Sequence, residues 1–564
     1  MKILIVGGVA GGATAAARLR RLDETAEIIM FERGGFVSYA NCGLPYYIGG
    51  EIKKKSALTL QTPESFWARF HIDVRVHHEV TAVNTQDKNV TVRLPDGTTK
   101  TESYDKLILS PGAKAIRPPF VGIDNPHVFT LRTVEDTLAI RNFIDTAHPK
   151  KATVVGGGFI GLEMAENLLQ AGIETTMIQL DPQVLLPLDY DMASEVHNYL
   201  RSKNLTLKLS TKVESFAEKD GVLWTQIVDG APIASDFVIL AIGVAPDTAM
   251  AKAAGLTLGI KGSIVVNDRM ETSAPDVYAV GDAVEVRHFV TGEKALISLA
   301  GPANKQGRIA ADNICGGNST YKGSQGSSVI KLFDMTVATT GINEKMAQMC
   351  GIAYDKVVTY SASHATYYPG ATNLTLKTLF APKDGKILGA EIVGFDGVDK
   401  RIDVLATAIR AGMTGEDLAE LDLAYAPPYS SAKDPVNMAG FVIENLCGGI
   451  VKQYHWNEVA DLPTDGSVTI LDVRNEAEFS RGHLAHAVLI PLDVLREHLA
   501  EIPKEKPVYV NCHSGLRSYI ACRILAANGF DCRHLSGGYR FYANVLQDKC
   551  YDATPTHPCG LAID

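Results

Sequence analysis

The sequence predicts an α/β chain: two parallel-sheet units, then an α+β module, then a small C-terminal α/β unit. Three observations carry this prediction. Two apolar strands, Lys2–Val6 and Ala152–Val155, each run into a glycine loop and then a helix. Residues 325–447 instead show short strands (329–340, 373–380 and 387–394) before a helix at 397–411. After Gly448-Gly449 comes strand Val468–Val473, strand Val508–Asn511, a cysteine loop, helix 516–528 and strand 532–535. Continuous apolar strands alternating with helices mark parallel sheets covered on both faces.

At 564 residues the chain is too long for one core. Domains of about 100–200 residues imply about three to five units. Hydrophobic residues at 46%, charged residues at 21% and 50 glycines fit a soluble α/β enzyme with many tight turns, and exclude a disordered or fibrous chain. A net charge of −10 argues against nucleic acid as a partner, so anionic ligands need local Arg and Lys clusters. No apolar run approaches the roughly 18 residues of a membrane helix. The segment Met1-Lys2-Ile3-Leu4-Ile5-Val6 enters glycines at once, unlike a signal peptide, so a cytoplasmic location is expected. Nine irregularly spaced cysteines are no disulfide framework, and none has zinc-ligand spacing, so no metal is expected. The Pro- and Thr-rich tail from Tyr551 reads as an irregular extension.

The second glycine loop, Gly156-x-Gly158-Phe159-Ile160-Gly161, opens a helix that runs to about Gln170. Glycines there permit a tight turn and close approach of a pyrophosphate, and the helix N-terminus offers N–H donors. At the end of the next strand, where an acid usually holds the adenosine ribose, stands Gln179 or Asp181. With no Arg or Lys nearby for a 2′-phosphate, NADH is favoured over NADPH. The first loop, Gly7-Gly8-Val9-Ala10-Gly11-Gly12, carries Val9 in place of the middle glycine, but Glu32 ends the following strand in position for a ribose diol. A third segment, Thr272–Asp282, places Asp282 after a strand and Gly281, where flavoproteins bind the ribityl and pyrophosphate side of FAD. Both units are therefore read as Rossmann-like dinucleotide-binding domains.

With Ser110-Pro111-Gly112-Ala113 and Ala241-Ile242-Gly243-Val244-Ala245-Pro246-Asp247, these motifs resemble the flavin- and pyridine-nucleotide-dependent disulfide reductase family over residues 1–447. The resemblance implies an FAD-binding domain at 1–113 and 246–324, an NADH-binding domain at 114–245 and an α+β dimerisation domain at 325–447. It further implies cofactor contacts at Arg33, Val80, Arg132, Pro302 and Ala303.

Two-cysteine members of that family carry cysteines five positions apart near the flavin, whereas Ser38-Tyr39-Ala40-Asn41-Cys42-Gly43-Leu44-Pro45-Tyr46-Tyr47 carries one. A lone thiol needs an external redox partner, through a mixed disulfide, a persulfide or a sulfenic acid. The wording Asn-Cys-Gly-Leu-Pro-Tyr-Tyr is similar to the coenzyme A disulfide reductase branch, with NADH peroxidases and oxidases as relatives. That branch implies coenzyme A, as substrate or bound carrier, at Thr14, Arg18, Arg21, Ser38, Asn41 and Lys433. Arg18 and Arg21 lie three apart on one helix face and could clasp a phosphate; the alternative is a pair of solvated surface charges. The branch also implies Tyr367 and Tyr425 standing over the cysteine of a partner subunit, each able to donate its O–H to a departing thiolate. For each of these residues simple packing is the competing reading.

In Val508–Ser518, a strand, a loop with Cys512 and a helix aim N–H groups at the sulfur, and Arg517 adds positive charge. With Leu471-Asp472-Val473-Arg474 and Gly482-His483 upstream, the segment resembles rhodanese sulfurtransferases, which sets a rhodanese-like α/β domain at 455–550. The loop of low-molecular-weight phosphatases is the rival. Cys522 and Cys532 read as core residues.

The expectation is thus a homodimeric NADH- and FAD-dependent reductase of small-molecule sulfur substrates: coenzyme A disulfide, coenzyme A persulfide or polysulfide. Cys42 and Cys512 are its working thiols, and the active site is shared across the dimer interface. An NADH oxidase or peroxidase cycling Cys42 through sulfenic acid is the alternative.

Overall fold

The computed structural model describes residues 1–551, so the tail expected to be irregular falls, from 552 on, outside the described residues. Two compact units form: Met1–Val184 with Leu205–Gly326, and Leu185–Asn204 with Ser327 onward.

The first unit holds two five-stranded parallel sheets. One has the order Val277–Ala279, Lys106–Leu109, Lys2–Val6, Glu27–Glu32, Asp73–Val76. Ile3, Leu4 and Ile5 of its central strand are fully buried, as a strand covered on both faces requires. The chain then turns at Gly7, whose φ of +98° and an added Cβ only 2.0 Å from the Ser110 carbonyl oxygen admit glycine alone. Helix Ala10–Leu22 follows and begins inside the glycine run, with Gly11 and Gly12 in its first turn. The other sheet has the order Thr206–Lys208, Glu174–Ile178, Lys151–Val155, Phe237–Leu240, Val128–Thr130. An antiparallel ribbon, Ala113–Ala115 with Val244–Pro246, lies at the two motifs read as crossover and return. Two antiparallel three-stranded sheets and the short ribbon Val286–Arg287 with Lys294–Ala295 complete this unit.

In the second unit an antiparallel sheet has the order Ser328–Leu332, Met335–Gly341, Ile387–Gly394, Asn373–Phe380, Asp355–Ala362. The run 329–340, expected as one strand, is a hairpin that turns at Phe333 with φ +55°. Strand Asp355–Ala362 was not anticipated. A parallel sheet of order Gln453–Tyr454, Cys532–Leu535, Val508–Asn511, Thr469–Asp472, Val488–Leu489 forms the C-terminal layer.

Helix Tyr190–Ser202, inside the stretch expected to bind NADH, packs within this second unit. It meets helix Gly538–Lys549, where Asp548 accepts hydrogen bonds from Tyr190 Oη at 2.7 Å and Arg201 Nη1 at 2.5 Å and pairs with His197 Nδ1 at 2.8 Å. Asp189, Asp191 and Glu344 cluster closely enough to hold a cation, and the Lys377 ammonium already bonds all three. Among the described residues no helix is long and apolar enough to cross a membrane.

Candidate active sites

In the first unit a cavity opens at the C-terminal ends of the first sheet's strands, where parallel α/β sheets bind ligands. Of the residues assigned to FAD, Gly7, Val9, Ala10, Gly11, Glu32, Arg33, Val80, Ser110, Gly112, Arg132, Gly281, Asp282 and Ala303 line it. Gly8 stands behind the lining, donating its N–H to Glu32 Oε2 at 2.9 Å. Pro302, on the same helix as Ala303, does not line the cavity. Arg132 donates to Asp282 Oδ2 at 2.6 Å, and Arg33 to Asp247 Oδ2 at 2.7 Å. Asp247, Tyr39 and Pro111 also line the cavity and were not assigned to it from the sequence, although two of them sit inside the crossover and return motifs.

The residues fit a flavin dinucleotide on two counts: a carboxylate, Glu32, fixed at the glycine turn, and an unsatisfied acceptor. Asn41 Oδ1 is buried without a hydrogen-bond partner while Asn41 lines the cavity, so a donor from a ligand can complete it.

Cys42 lies in the turn Asn41–Gly43 beside this cavity and is exposed. Burial of its sulfur pushes the thiol up, the Glu163 charge adds to this, and Arg132 opposes it. Ser38 holds a left-handed φ of +47°, with its N–H bonded to the Gly8 carbonyl at 2.8 Å, which binds the cysteine loop to the glycine turn. Thr14 Oγ1 donates to Asn304, and Arg18 Nε is engaged by Asp312 Oδ1 at 2.7 Å, while Arg21 is exposed. Arg18 thus pairs with an acid of helix Ala300–Ile314 through its Nε.

The second glycine loop repeats the geometry of the first. Gly156 has φ +111°, and a Cβ there would lie 2.3 Å from the Ala241 carbonyl oxygen. At Gly158 a Cβ would meet nothing within 4 Å, which leaves open space before the N-terminus of helix Phe159–Gln170, the approach a pyrophosphate needs. Ile160 and Gly161 continue that first turn. Gln179 Oε1 accepts from Gly157 N at 2.7 Å, and Gln179 Nε2 donates to Asp181 at 3.0 Å. Gly156→Ala should raise the KM for NADH about tenfold or more, because a non-glycine left-handed residue costs of order 1–3 kcal/mol before any clash; steady-state kinetics checks this.

In the second unit Tyr367 and Tyr425 are 74% and 47% exposed, with their hydroxyls 2.6 Å apart. Lys433 is exposed. Gly243, on the first unit, is exposed with φ +113°. Cys512 is 1% exposed, and its sulfur accepts the Gly515 N–H at 3.1 Å and lies 3.4 Å from Ser518 Oγ. Two further N–H groups, of Tyr539 and Arg540, hold the Cys512 and His513 carbonyls at 2.7 and 3.0 Å. Arg517 is not free to face the sulfur alone: Glu478 grips both its terminal nitrogens at 2.6 and 2.7 Å. That pairing holds the Glu478 carboxyl down at about 2. Cys522 and Cys532 are buried, and Cys532 Sγ lies 3.3 Å from the Cys522 carbonyl oxygen.

Residues 1–307 match the family model for pyridine nucleotide-disulphide oxidoreductase, 327–435 that for its dimerisation domain, and 455–544 that for a rhodanese-like domain. The coenzyme A disulfide reductase of Staphylococcus haemolyticus is 40% identical over 447 residues, which is 79% of this chain and 100% of that protein. The structure of reduced Bacillus anthracis CoADR-RHD is similar with a TM-score of 0.95 at 48% identity, over 97% of this chain and 98% of that one. An NAD-dependent persulfide reductase from A. fulgidus gives 0.89 at 38% identity, over 96% and 100%. A water-forming NADH oxidase from Lactobacillus brevis gives 0.76 at 28%, over 80% and 99%.

Proposed function

Because the chain belongs to the pyridine nucleotide-disulphide oxidoreductase family, we propose that it is an FAD- and NADH-dependent reductase of coenzyme A disulfide, coenzyme A persulfide or polysulfide. The observation that carries this is the pair of thiols: an exposed lone Cys42 beside the cavity, and Cys512 in a rhodanese-like loop on the same chain.

The residues divide the work. Cys42 as thiolate attacks the coenzyme A sulfur of a persulfide, breaks the S–S bond and expels hydrosulfide, leaving a mixed disulfide with coenzyme A. FAD, when bound, would supply two-electron chemistry between NADH and that disulfide; its reduction would restore coenzyme A thiol and the Cys42 thiolate. Glu32, Arg132 and Asp282 would hold the flavin dinucleotide, and the loop from Gly156 to Gly161 would hold NADH. Gln179 performs on Gly157 the backbone task Glu32 performs on Gly8, as a neutral amide, and Asp181 beside it repels a 2′-phosphate; both features support NADH over NADPH. Cys512 accepts sulfane sulfur as a persulfide, which passes to Cys42 directly or on coenzyme A.

The protein acts as a homodimer, with Tyr367 and Tyr425 of one protomer standing over Cys42 of its partner to protonate the departing thiolate. The dimerisation-domain match and the exposure of the tyrosine pair support this. A cytoplasmic setting is supported by the cysteines, none of which is paired among the described residues.

The rival reading is reduction of oxygen or peroxide through a Cys42 sulfenic acid, which the similarity to an NADH oxidase keeps in view. NADH consumption measured with coenzyme A persulfide and with hydrogen peroxide separates the two. We expect kcat/KM for the persulfide to exceed that for peroxide about a hundredfold or more, the range in which a positioned substrate arm outweighs intrinsic reactivity; the reverse order would sink the proposal.

A further inference from the structure

We propose that Arg540, and not Arg517, is the cation that receives the sulfur donor at Cys512, holding an oxyanion on the donor's arm outside the cysteine loop. The proposal rests on the reading of Cys512 as the acceptor of sulfane sulfur. Three arginines surround this loop, and two are already engaged. Glu478 grips Arg517 through both terminal nitrogens. Arg474 is 2% exposed, bonds both oxygens of Asp472 and the Gly482 carbonyl, and lies over the Tyr539 ring. Arg540 is half-buried, and among the described residues no carboxylate lies within ion-pair distance of it. Its guanidinium rests over the Tyr360 ring, 4.5 Å from the centroid. Glu195, the acid on which its charge acts, already accepts from Thr375 at 2.9 Å and from Tyr360 at 3.1 Å.

The backbone places Arg540 at the mouth of the loop. Helix Gly538–Lys549 closes on it with its first turn: the Tyr539 N–H bonds the Cys512 carbonyl at 2.7 Å, and the Arg540 N–H bonds the His513 carbonyl at 3.0 Å. A Cβ on Gly538 would lie 2.7 Å from both carbonyl oxygens, so no side chain separates helix from loop. His513, next to the working sulfur, is exposed. Burial, and after it the Arg540 charge, push its imidazole down, so the histidine is uncharged at neutral pH and leaves Arg540 as the cation. Cys512 itself is 1% exposed. Only the outer sulfur of a donor R–S–SH reaches it, and the arm R stays outside, beside His513 and Arg540. A phosphate or carboxylate on that arm meets the planar fork of guanidinium donors. The Cys512 thiolate attacks the outer sulfur, the S–S bond breaks with its electron pair leaving on R–S⁻, and Cys512–S–SH keeps the proton. Arg540 touches the arm alone, so its loss slows loading without removing the nucleophile.

The test uses the full-length, FAD-loaded enzyme without NADH. Loading of Cys512 is followed by mass spectrometry as one added sulfur on its peptide. Three donors are compared: coenzyme A persulfide, with phosphates; glutathione persulfide, with carboxylates; and 2-mercaptoethanol persulfide, with an uncharged arm. Arg540→Met should slow loading from an anionic donor about tenfold or more, the scale of one charge-assisted hydrogen bond, and leave the uncharged donor within about twofold. Loss confined to coenzyme A persulfide assigns a phosphate, loss confined to glutathione persulfide a carboxylate, and loss with both an oxyanion of either kind. An equal loss with the uncharged donor would make Arg540 a structural residue and overturn the proposal, as would no loss at all. Circular dichroism and flavin content verify the fold of the variant. A measurement on the unaltered enzyme stands beside it: raising sodium chloride should slow loading from the anionic donors and spare the uncharged one, and loading indifferent to salt would also count against the proposal. Wild-type Cys512 that takes sulfur from none of the three would instead bring down the sulfur-acceptor reading, and the proposal with it.

Discussion

Replacing Cys42 by serine should lower NADH-dependent persulfide reduction by about a thousandfold or more, while NADH still reduces the flavin at the wild-type rate. The first effect follows from chemistry: loss of an enzyme's nucleophile typically costs about this much or more, because the covalent route closes. The second follows from place, since Cys42 is absent from the glycine loops, from Glu32 and from the Arg132–Asp282 pair, to which the proposed function assigns the cofactors. A stopped-flow trace of flavin bleaching and a steady-state assay read the two halves separately. Cys512→Ser should leave reduction of coenzyme A disulfide unchanged and lower activity only with sulfane donors that must first load Cys512. A Cys42→Ser enzyme with full persulfide turnover would remove sulfur attack from the mechanism altogether.

The glycine loops, Glu32 at the glycine turn, the Gly281-Asp282 turn and the two cysteine-bearing loops were legible because each is a local signal, a few residues whose types are dictated by backbone approach or by sulfur chemistry. Strand Lys2–Val6 and strand Cys532–Leu535 were read to the residue for the same reason. What escaped depended on distant partners. Strand Asp355–Ala362 was hidden by buried polar residues: Lys356 is tolerated inside only because Glu344 bonds it at 2.7 Å. The 329–340 hairpin turns without an Asn-Gly or Asp-Gly pair, so its two strands ran together. The pairing of Arg18 with Asp312 joins residues 294 apart and has no signal in the local spacing. Glu163 is likewise 117 residues from Tyr46, and no spacing rule joins them. The missing ribose acid was noticed, but that Gln179 replaces it in its hydrogen bond to the glycine turn is a fact of geometry.

Lys377→Met should destabilise the protein by roughly 3–5 kcal/mol at neutral pH, the cost of stranding buried charge. Lys377 is fully buried, its ammonium 2.9 Å from Asp189, 2.7 Å from Asp191 and 2.5 Å from Glu344. Lys356 supports Glu344, and Trp456 Nε1 donates to Asp191 at 2.9 Å. Glu391 bonds the Asp189 N–H, and burial followed by the Asp189 charge pushes its own carboxyl well above the usual range. Methionine matches the lysine stem in volume, so packing survives while the cation bonded to all three acids is lost. The pH dependence carries the sign. Burial pushes the Glu344 carboxyl up, but Lys377 and then Lys356 outweigh it and hold it at about 2, below its ordinary 4.5. A depressed folded value stabilises above 4.5 and is lost as pH falls towards 2, so the wild type weakens through that window. In Lys377→Met the acids are no longer held down, and protonating them relieves repulsion, so its deficit should shrink over the same window. Denaturant unfolding at neutral and mildly acidic pH measures both. A deficit under about 1 kcal/mol at neutral pH, within the range of a surface ion pair, would show that the cluster adds little beyond packing; a large deficit that ignores pH would assign the loss to shape and not to charge.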